Sequence, residues 1–509
     1  MEKTQQIILT SSHERIEFSL WTLGLPYRVS TLNEILELDV VKLSINVFIC
    51  FSSDEEETLL ERDNQCLIFR VFENTTEGLK SSSKKVTHSW DLSQLPFEVG
   101  FPQLNWCSSQ DHLNSEKMNS SHVNWKSCGD TIIGSRTFIY WGLNFQAIFD
   151  LQSTQSLAFG YGHKEGGQPN QSRWPHEEVS SLDRGSVLIL FRESLRYLLS
   201  SKGIPLHYLP DYPQGYEGVF LYRIDTDGAD FNSLKHYVDL LDENQVKATL
   251  FLDTAPIENS INQLELPSNS SQFEFPLHWE KHEWGVHCYQ HRTLADMKMN
   301  EKNFKQGKIL AEQWIQNFES SELQLKGHAA PYGLHPQGLG ELQNQLGFEY
   351  GSEFSFAYDS FPLHLNNDKY QKLGWQIPWH PICPHSLMNS QLDVYSWMKY
   401  FTDLGTQQFN LSLPQTWYDH PMHKDLESLE VWIKFLGLWV QGLAPHSKKL
   451  CVMTAHEYLN WRQNERYHAT QIECPTPQKM KSEQNHINCR KFNLRQWKQS
   501  LLRKHFYRN

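Results

Sequence analysis

Gly218-Val219-Phe220-Leu221-Tyr222-Arg223-Ile224-Asp225-Thr226-Asp227-Gly228 is the stretch on which the reading of the fold turns. An apolar run closed by two acids and a glycine predicts a buried strand that ends in an acidic turn. Residues two apart on a strand face one side, so Asp225 and Asp227 project together. Gly228 permits the turn that leaves both carboxylates at the strand mouth. Paired carboxylates can divide labour, one holding a metal and the other acting as base. Taken alone, the motif equally suits an Asx-type turn with solvated acids.

Downstream, strands and helices alternate. Leu234, Val238 and Leu241 fall at helical spacing, and 247–252 reads as the next strand. Residues 303–318 predict a helix with Ile309, Trp314, Ile315 and Phe318 as its buried stripe. Such alternation implies parallel pairing through crossovers, hence an α/β sheet or barrel. Active sites of these folds gather at the carboxyl ends of the strands.

Two further motifs fall at such ends. In Glu283-Trp284-Gly285-Val286-His287-Cys288-Tyr289-Gln290-His291, two histidines four apart would face one way in a helical turn and share a divalent metal. Imidazole suits zinc, iron, cobalt or nickel, and a carboxylate beside two imidazoles leaves positions open for water. A chain with 24 His produces such pairs by chance, so the weight comes from the acidic strand end ahead of this one. The last motif is Lys449-Leu450-Cys451-Val452-Met453-Thr454-Ala455-His456-Glu457, an apolar strand running into a titratable pair. A histidine with a pKa near roughly 6.5 suits protonation of a departing amine.

Upstream, the texture is β-rich. Leu43, Ile45, Val47, Ile49 and Phe51 alternate with Ser44, Asn46, Phe48 and Cys50, and 137–151 is dense in aromatic and β-branched residues. Polar stretches at 74–85 and 107–122 read as loops. Residues 185–202 predict a core-facing helix through Val187, Leu188, Phe191, Leu195, Leu198 and Leu199. Pro205, Pro210, Pro213 and Gly215 then punctuate a connector that cannot continue it. The expected layout is a β-rich α+β accessory domain over 1–210, a catalytic domain over 211–470 and a basic tail over 471–509.

At 509 residues the chain exceeds one ordinary core, which also favours several domains. The net charge of −13 argues against bulk nucleic-acid binding. Nine cysteines without a CxxC pair, no leading basic and apolar stretch and no long apolar run read as a cytoplasmic protein. Residues 489–509 carry seven Lys/Arg and no acid, with Leu494, Trp497 and Leu501 at helical spacing. Packing on an acidic surface is the preferred role for that tail, and peripheral contact with the inner membrane face is the alternative.

The order of these motifs resembles the polysaccharide deacetylase (NodB-homology) superfamily, carbohydrate esterase family four, over roughly residues 218–460. The resemblance implies a barrel-like catalytic domain in which Asp227, His287 and His291 hold one divalent metal, zinc first, with cobalt, nickel or iron as alternatives. It implies His456 as catalytic acid and Asp225 as base. Two departures stand out. Thr226 occupies the slot of the family's usual first acid, and Ala329 in Gly327-His328-Ala329-Ala330-Pro331-Tyr332-Gly333 replaces the arginine that steadies the base. Both departures, with Tyr350-Gly351-Ser352-Glu353 and Gln376-Ile377-Pro378, resemble the branch acting on undecaprenyl-phosphate formamido-arabinose. Arg223, on the strand face of Asp225, and His328 are the candidates to steady that base. Tyr332 and Trp379, with Trp284, Tyr289 and Trp375, are the aromatics placed to stack on a sugar.

The implied activity is metal-dependent removal of an acetyl or formyl group from an amino sugar, in a glycan or a lipid-linked sugar. A metal amidohydrolase on a non-sugar amide and a non-catalytic carbohydrate-binding protein are the alternatives.

Overall fold

The computed structural model describes residues 6–38, 46–63, 65–72, 88–101, 103–106, 124–127, 132–143, 145, 154–156, 178–180, 182–263, 273–291, 297–318, 325–336, 338–366, 372–420 and 425–473. The loops read at 74–85 and 107–122, the strand ends at 43–45 and 146–151, and the basic tail helix lie outside the described residues. Met1–Asp150, Ser181–Asp211 and Arg466–His486 make one compact unit; Leu151–Ser180, Tyr212–Glu465 and Ile487–Asn509 make the other. No described helix is long and apolar enough to cross a membrane.

In the first unit a seven-stranded sheet runs, in spatial order, Tyr27–Val29, Ile7–Leu9, Val47–Cys50, Leu67–Val71, Phe138–Trp141, Ile132–Gly134 and Trp125–Ser127. The first five of these pair in parallel and only the last two antiparallel. Helices Glu14–Thr22, Leu32–Leu36 and Ser53–Arg62 lie between the parallel strands in sequence. This is α/β pairing, which corrects the β-rich α+β expectation. The helices escape the sequence pattern because they are short, and the starts of two of them are fixed by capping boxes. Thr31 pairs with Glu34, and Ser52 with Glu55. The long helix, Arg184–Ser200, does bury Val187, Leu188, Phe191, Leu195, Leu198 and Leu199.

The second unit is built on a nine-stranded sheet: β1 (Gly218–Asp225), β2 (Thr249–Asp253), β3 (Glu283–Cys288), β4 (Gly327–His328), β5 (Tyr350–Gly351), β6 (Leu363–Asn366), β7 (Lys372–Gln376), β8 (Gln415–Asp419) and β9 (Leu450–Met453). Their order is β6-β7-β5-β4-β3-β2-β1-β8, with β9 also on β1. All pairings are parallel except β6 with β7. The path curves as a barrel would but, among the described residues, no pairing closes β6 onto β8.

Crossover helices make this sheet parallel, and their starts are written in the sequence. Asp230, Asp393 and Asp425 each accept a backbone N–H three residues on, opening Phe231–Glu243, Val394–Asn410 and Leu426–Val440. The helix expected over 303–318 runs Met297–Trp314. Trp314, Ile315 and Phe318 are buried, whereas Ile309 is 46% exposed and drops out of the stripe. Trp279, Trp284, Trp397, Trp417, Trp432 and Trp439 fill the large core on one side of the sheet. Much of the tryptophan excess therefore serves packing.

Candidate metal centre

Asp225 ends β1 and Asp227 follows it in the turn. Gly228, at φ +67°, carries the left-handed conformation that turn needs. His287 is the fifth residue of β3, and His291 lies three residues beyond its end. The pair is therefore set by a strand end and the bend after it, not by the expected helical turn. The three groups converge: Asp227, His287 and His291 each offer a ligand atom, and all lie within 4.8 Å of one another. His287 Nε2 is 3.1 Å from Asp227 Oδ1, and His291 Nε2 is 3.4 Å from Oδ2.

The donor set suits a cation. His287 Nδ1 donates to the Ala329 carbonyl at 2.7 Å, which leaves Nε2 with its lone pair toward Asp227. Both Nε2 and Asp227 Oδ1 are buried and lack a hydrogen-bond partner among the described residues. Two electron-rich atoms at that separation call for positive charge, a proton or a metal ion. The titration directions agree. Burial raises the Asp227 carboxyl, but the three neighbouring histidines outweigh it and hold the group below the usual carboxylate range. Burial drives His291 down to about 4, so its imidazole is neutral and ready to ligate. At His287 burial opposes the charged form, but Asp227 and Asp225 outweigh it and raise the pKa.

Asp225 is 3% exposed and is gripped by Arg223, which is fully buried. Arg223 Nε donates to Oδ1 at 2.7 Å and its NH2 group to Oδ2 at 2.5 Å. The other arm of the guanidinium donates to the backbone oxygen and, at 2.9 Å, to Oγ of Ser352. A planar fork held at both ends fixes the carboxylate in one orientation. Of the two residues expected to steady Asp225, Arg223 is the one that bonds to it. His328 does not share that task. Its Nδ1 lies 3.1 Å from Gln343 Nε2 and 3.5 Å from Glu353 Oε1.

His456 lies elsewhere. Its backbone N–H donates to Glu283 Oε2 at 2.9 Å, and its Nε2 is 3.1 Å from Glu349 Oε2. Glu283 is the first residue of β3, and four residues of strand separate it from His287, about 13 Å at the usual rise. The cause is register: β9 pairs only Gly218–Leu221 of β1, so it stops four residues short of Asp225. The structure therefore does not bring His456 to the metal group.

His420 stands there instead. It follows β8, whose register carries Asp419 level with Ile224. Its Nε2 is 3.5 Å from Asp227 Oδ2 and 3.8 Å from Asp225 Oδ2. Burial works against its charge, but Asp227, Cys383 and Asp225 outweigh it and push the pKa up to about 10. The sequence signal for it is slight, because Gln415 and Thr416 interrupt the apolar run before Asp419-His420.

Asp253, at the end of β2, also went unread. Its Oδ2 accepts the Gly228 N–H at 3.3 Å, and its own N–H donates to Thr226 Oγ1 at 2.9 Å. Thr226, in the slot of the missing acid, thereby ties the β1 turn to β2. Burial raises the Asp253 carboxyl to about 6.

Of the aromatics, Tyr332 meets the site: at φ +61° it sets its ring edge on His291, centroids 4.6 Å apart. Trp284 and Trp379 are fully buried in the core, which corrects the expectation that Trp379 faces a substrate. Trp375 packs on His364, and the Tyr289 hydroxyl donates to Glu258 at 3.0 Å.

Residues 226–351 match the family model described as polysaccharide deacetylase. The chain matches none of the curated proteins it was compared with. Among solved structures it is similar to a putative polysaccharide deacetylase from Mycobacterium smegmatis, at 15% identity over 53% of this chain and 97% of that one, TM-score 0.34. It is also similar to a family 4 carbohydrate esterase from Streptomyces lividans, at 13% identity over 45% and 90%, TM-score 0.27. A peptidoglycan deacetylase from Bacillus subtilis aligns at 15% identity over 49% and 93%, TM-score 0.28. The second unit therefore carries a polysaccharide deacetylase domain, of the hydrolase class that acts on carbon–nitrogen bonds other than peptide bonds.

Proposed function

We propose that the chain removes an N-acetyl or N-formyl group from an amino sugar, in a surface glycan or a lipid-linked precursor. In this reading residues 211–470 are catalytic and 1–210 form an accessory domain. The observation that carries it is the facing set of Asp227, His287 and His291 with Asp225 and His420 at its rim. Asp227, His287 and His291 would hold one divalent cation, zinc first by donor type. When bound, such an ion supplies Lewis acidity to an amide carbonyl and to water.

The chain's own groups do the rest. Asp225, locked by Arg223, takes the proton of the attacking water at the oxygen facing the site. Arg223 keeps that carboxylate from rotating and balances its charge in a buried setting. His420, charged at neutral pH by its carboxylate neighbours, delivers its Nε2 proton to the departing amine. Tyr332 closes the wall beside His291. The Thr226 slot and the Arg223 clamp support a substrate like that of the formamido-arabinose branch rather than a chitin-like polymer.

The test is acetate or formate release from N-acylated amino sugars by zinc-loaded protein, with metal content measured alongside. Asp225→Asn should keep zinc and lose about 100- to 10,000-fold in rate, the usual worth of an acid–base group. Parent-like zinc content in Asp227→Asn and His287→Ala together would refute the ligand set. Release from simple amides but from no sugar would move the protein to a non-sugar amidohydrolase.

A further inference from the structure

Behind His420 lies a contact outside the scheme above. The ring turns Nε2 to the aspartates and Nδ1 to Cys383, whose Sγ is 3.5 Å away. Cys383 is 1% exposed, and its sulfur also lies 3.4 Å from Ser386 Oγ. Ser386 is 2% exposed on the helix Pro384–Asn389 that Cys383 precedes. A thiol is a weak acceptor and a weak donor, so it can sit between a ring N–H and a hydroxyl oxygen. The direction follows from the ends. While His420 carries both protons, Nδ1–H donates to Sγ and the thiol hydrogen goes to Ser386 Oγ. After Nε2 gives up its proton, Nδ1–H stays, so the same two bonds hold the ring before and after transfer.

The choice of sulfur has an electrostatic reason. Asp225, Asp227, Asp253 and Asp419 already crowd these strand ends, and a carboxylate behind the ring would add one more negative charge to them. A neutral thiol orients the imidazole without that charge.

We propose that Cys383, backed by Ser386, is a positioning residue that holds His420 with Nε2 aimed at the leaving nitrogen. This rests on the reading of His420 as the proton donor. The experiment uses the full chain loaded with zinc and two substrates: a glycoside of 4-formamido-4-deoxyarabinose, and 4-nitrophenyl acetate, whose leaving group departs without a proton. Cys383→Ala should lower kcat on the amide by about 10- to 100-fold, with KM little changed, and lower the ester rate by less than about threefold. Zinc content should match the parent, and Cys383→Ser should restore most of the amide rate. Ser386→Ala should lower the amide-to-ester ratio by a smaller factor, about three- to fivefold, and carries the test if Cys383→Ala does not fold.

Equal losses on both substrates, or a parent-like ratio in Cys383→Ala and Ser386→Ala alike, overturn the proposal. His420→Ala, run in parallel, separates the two failures. A parent-like ratio there removes the acid itself, whereas a lowered ratio beside a parent-like Cys383→Ala removes only the positioning role.

Discussion

The two ends of the second unit's sheet use the same residue types to opposite effect. At the amino end, Glu283 is buried, and each of its oxygens is met by a donor. Tyr350 donates to Oε1 at 2.5 Å, while Thr249 and the His456 N–H donate to Oε2 at 3.1 and 2.9 Å. His456 pairs with Glu349, and Lys326 with Glu349. At the carboxyl end, Asp227 Oδ1 and His287 Nε2 face each other, buried and without a hydrogen-bond partner among the described residues. Residue type does not separate the two ends; what separates them is whether facing acceptors are met by donors. A network in which each carboxylate oxygen of Glu283 has a donor closes the bottom of the sheet. A set of acceptors turned on one point is suited to hold a cation.

The largest effect that would break this contrast concerns the two histidines. His420→Ala should lower acyl release by about 100-fold or more, whereas His456→Ala should leave it within about twofold of the parent. The His456–Glu349 pair is partly exposed, so its loss should move stability by about 1 kcal/mol or less. Loss of activity in His456→Ala with a parent-like His420→Ala would invert the assignment of the two ends.

That pair also shows where sequence reading stops. The candidate ligands Asp227, His287 and His291 are legible because each lies within three residues of a strand end that local patterning reveals. Arg223 as partner of Asp225 is legible too, since a two-residue offset on a strand puts both on one face. Choosing between His420 and His456 needs the register of β8 and β9 on β1, which is a long-range property. Both histidines follow strands, yet one strand ends level with Ile224 and the other at Leu221. The parallel sheet of the first unit was hidden for a different reason: its short capped helices carry little apolar period.

A second effect, read in stability rather than in rate, compares one buried partner at each end. Arg223→Ala strands Asp225 in a pocket it shares with Asp227, so unfolding free energy should fall by about 3–5 kcal/mol and acyl release should be lost. Tyr350→Phe removes one of three donors from Glu283, an expected loss of about 1–3 kcal/mol, with kcat unchanged. Denaturant titration of both variants checks the order. A Tyr350→Phe variant that loses activity while folding normally would show that the amino end is not merely structural.

The smallest effect sharpens the contrast through pH. In metal-free protein the Asp253 carboxyl is raised by burial from 3.8 to about 6. The folded group keeps its proton to a higher pH than the unfolded one, so between those values unfolding releases a proton. Stability therefore falls as pH rises from about 4 to about 6 and levels off above, by about 2–3 kcal/mol in all. Asp253→Asn cannot ionise and should lack this component. Glu283, also raised by burial, contributes in the same direction from the other end, so the parent-minus-variant difference isolates Asp253. Zinc should flatten the parent's slope, because a cation beside Asp227 and His287 favours the ionised form of a carboxyl this close to them. The matching comparison at the amino end is the parent-minus-variant difference for Glu283→Gln, which should not respond to zinc, because among the described residues no metal-ligand group lies at that end. A zinc-sensitive Glu283→Gln difference would place a cation at the end of the sheet where each Glu283 oxygen already has a donor, and the contrast between the two ends would fail.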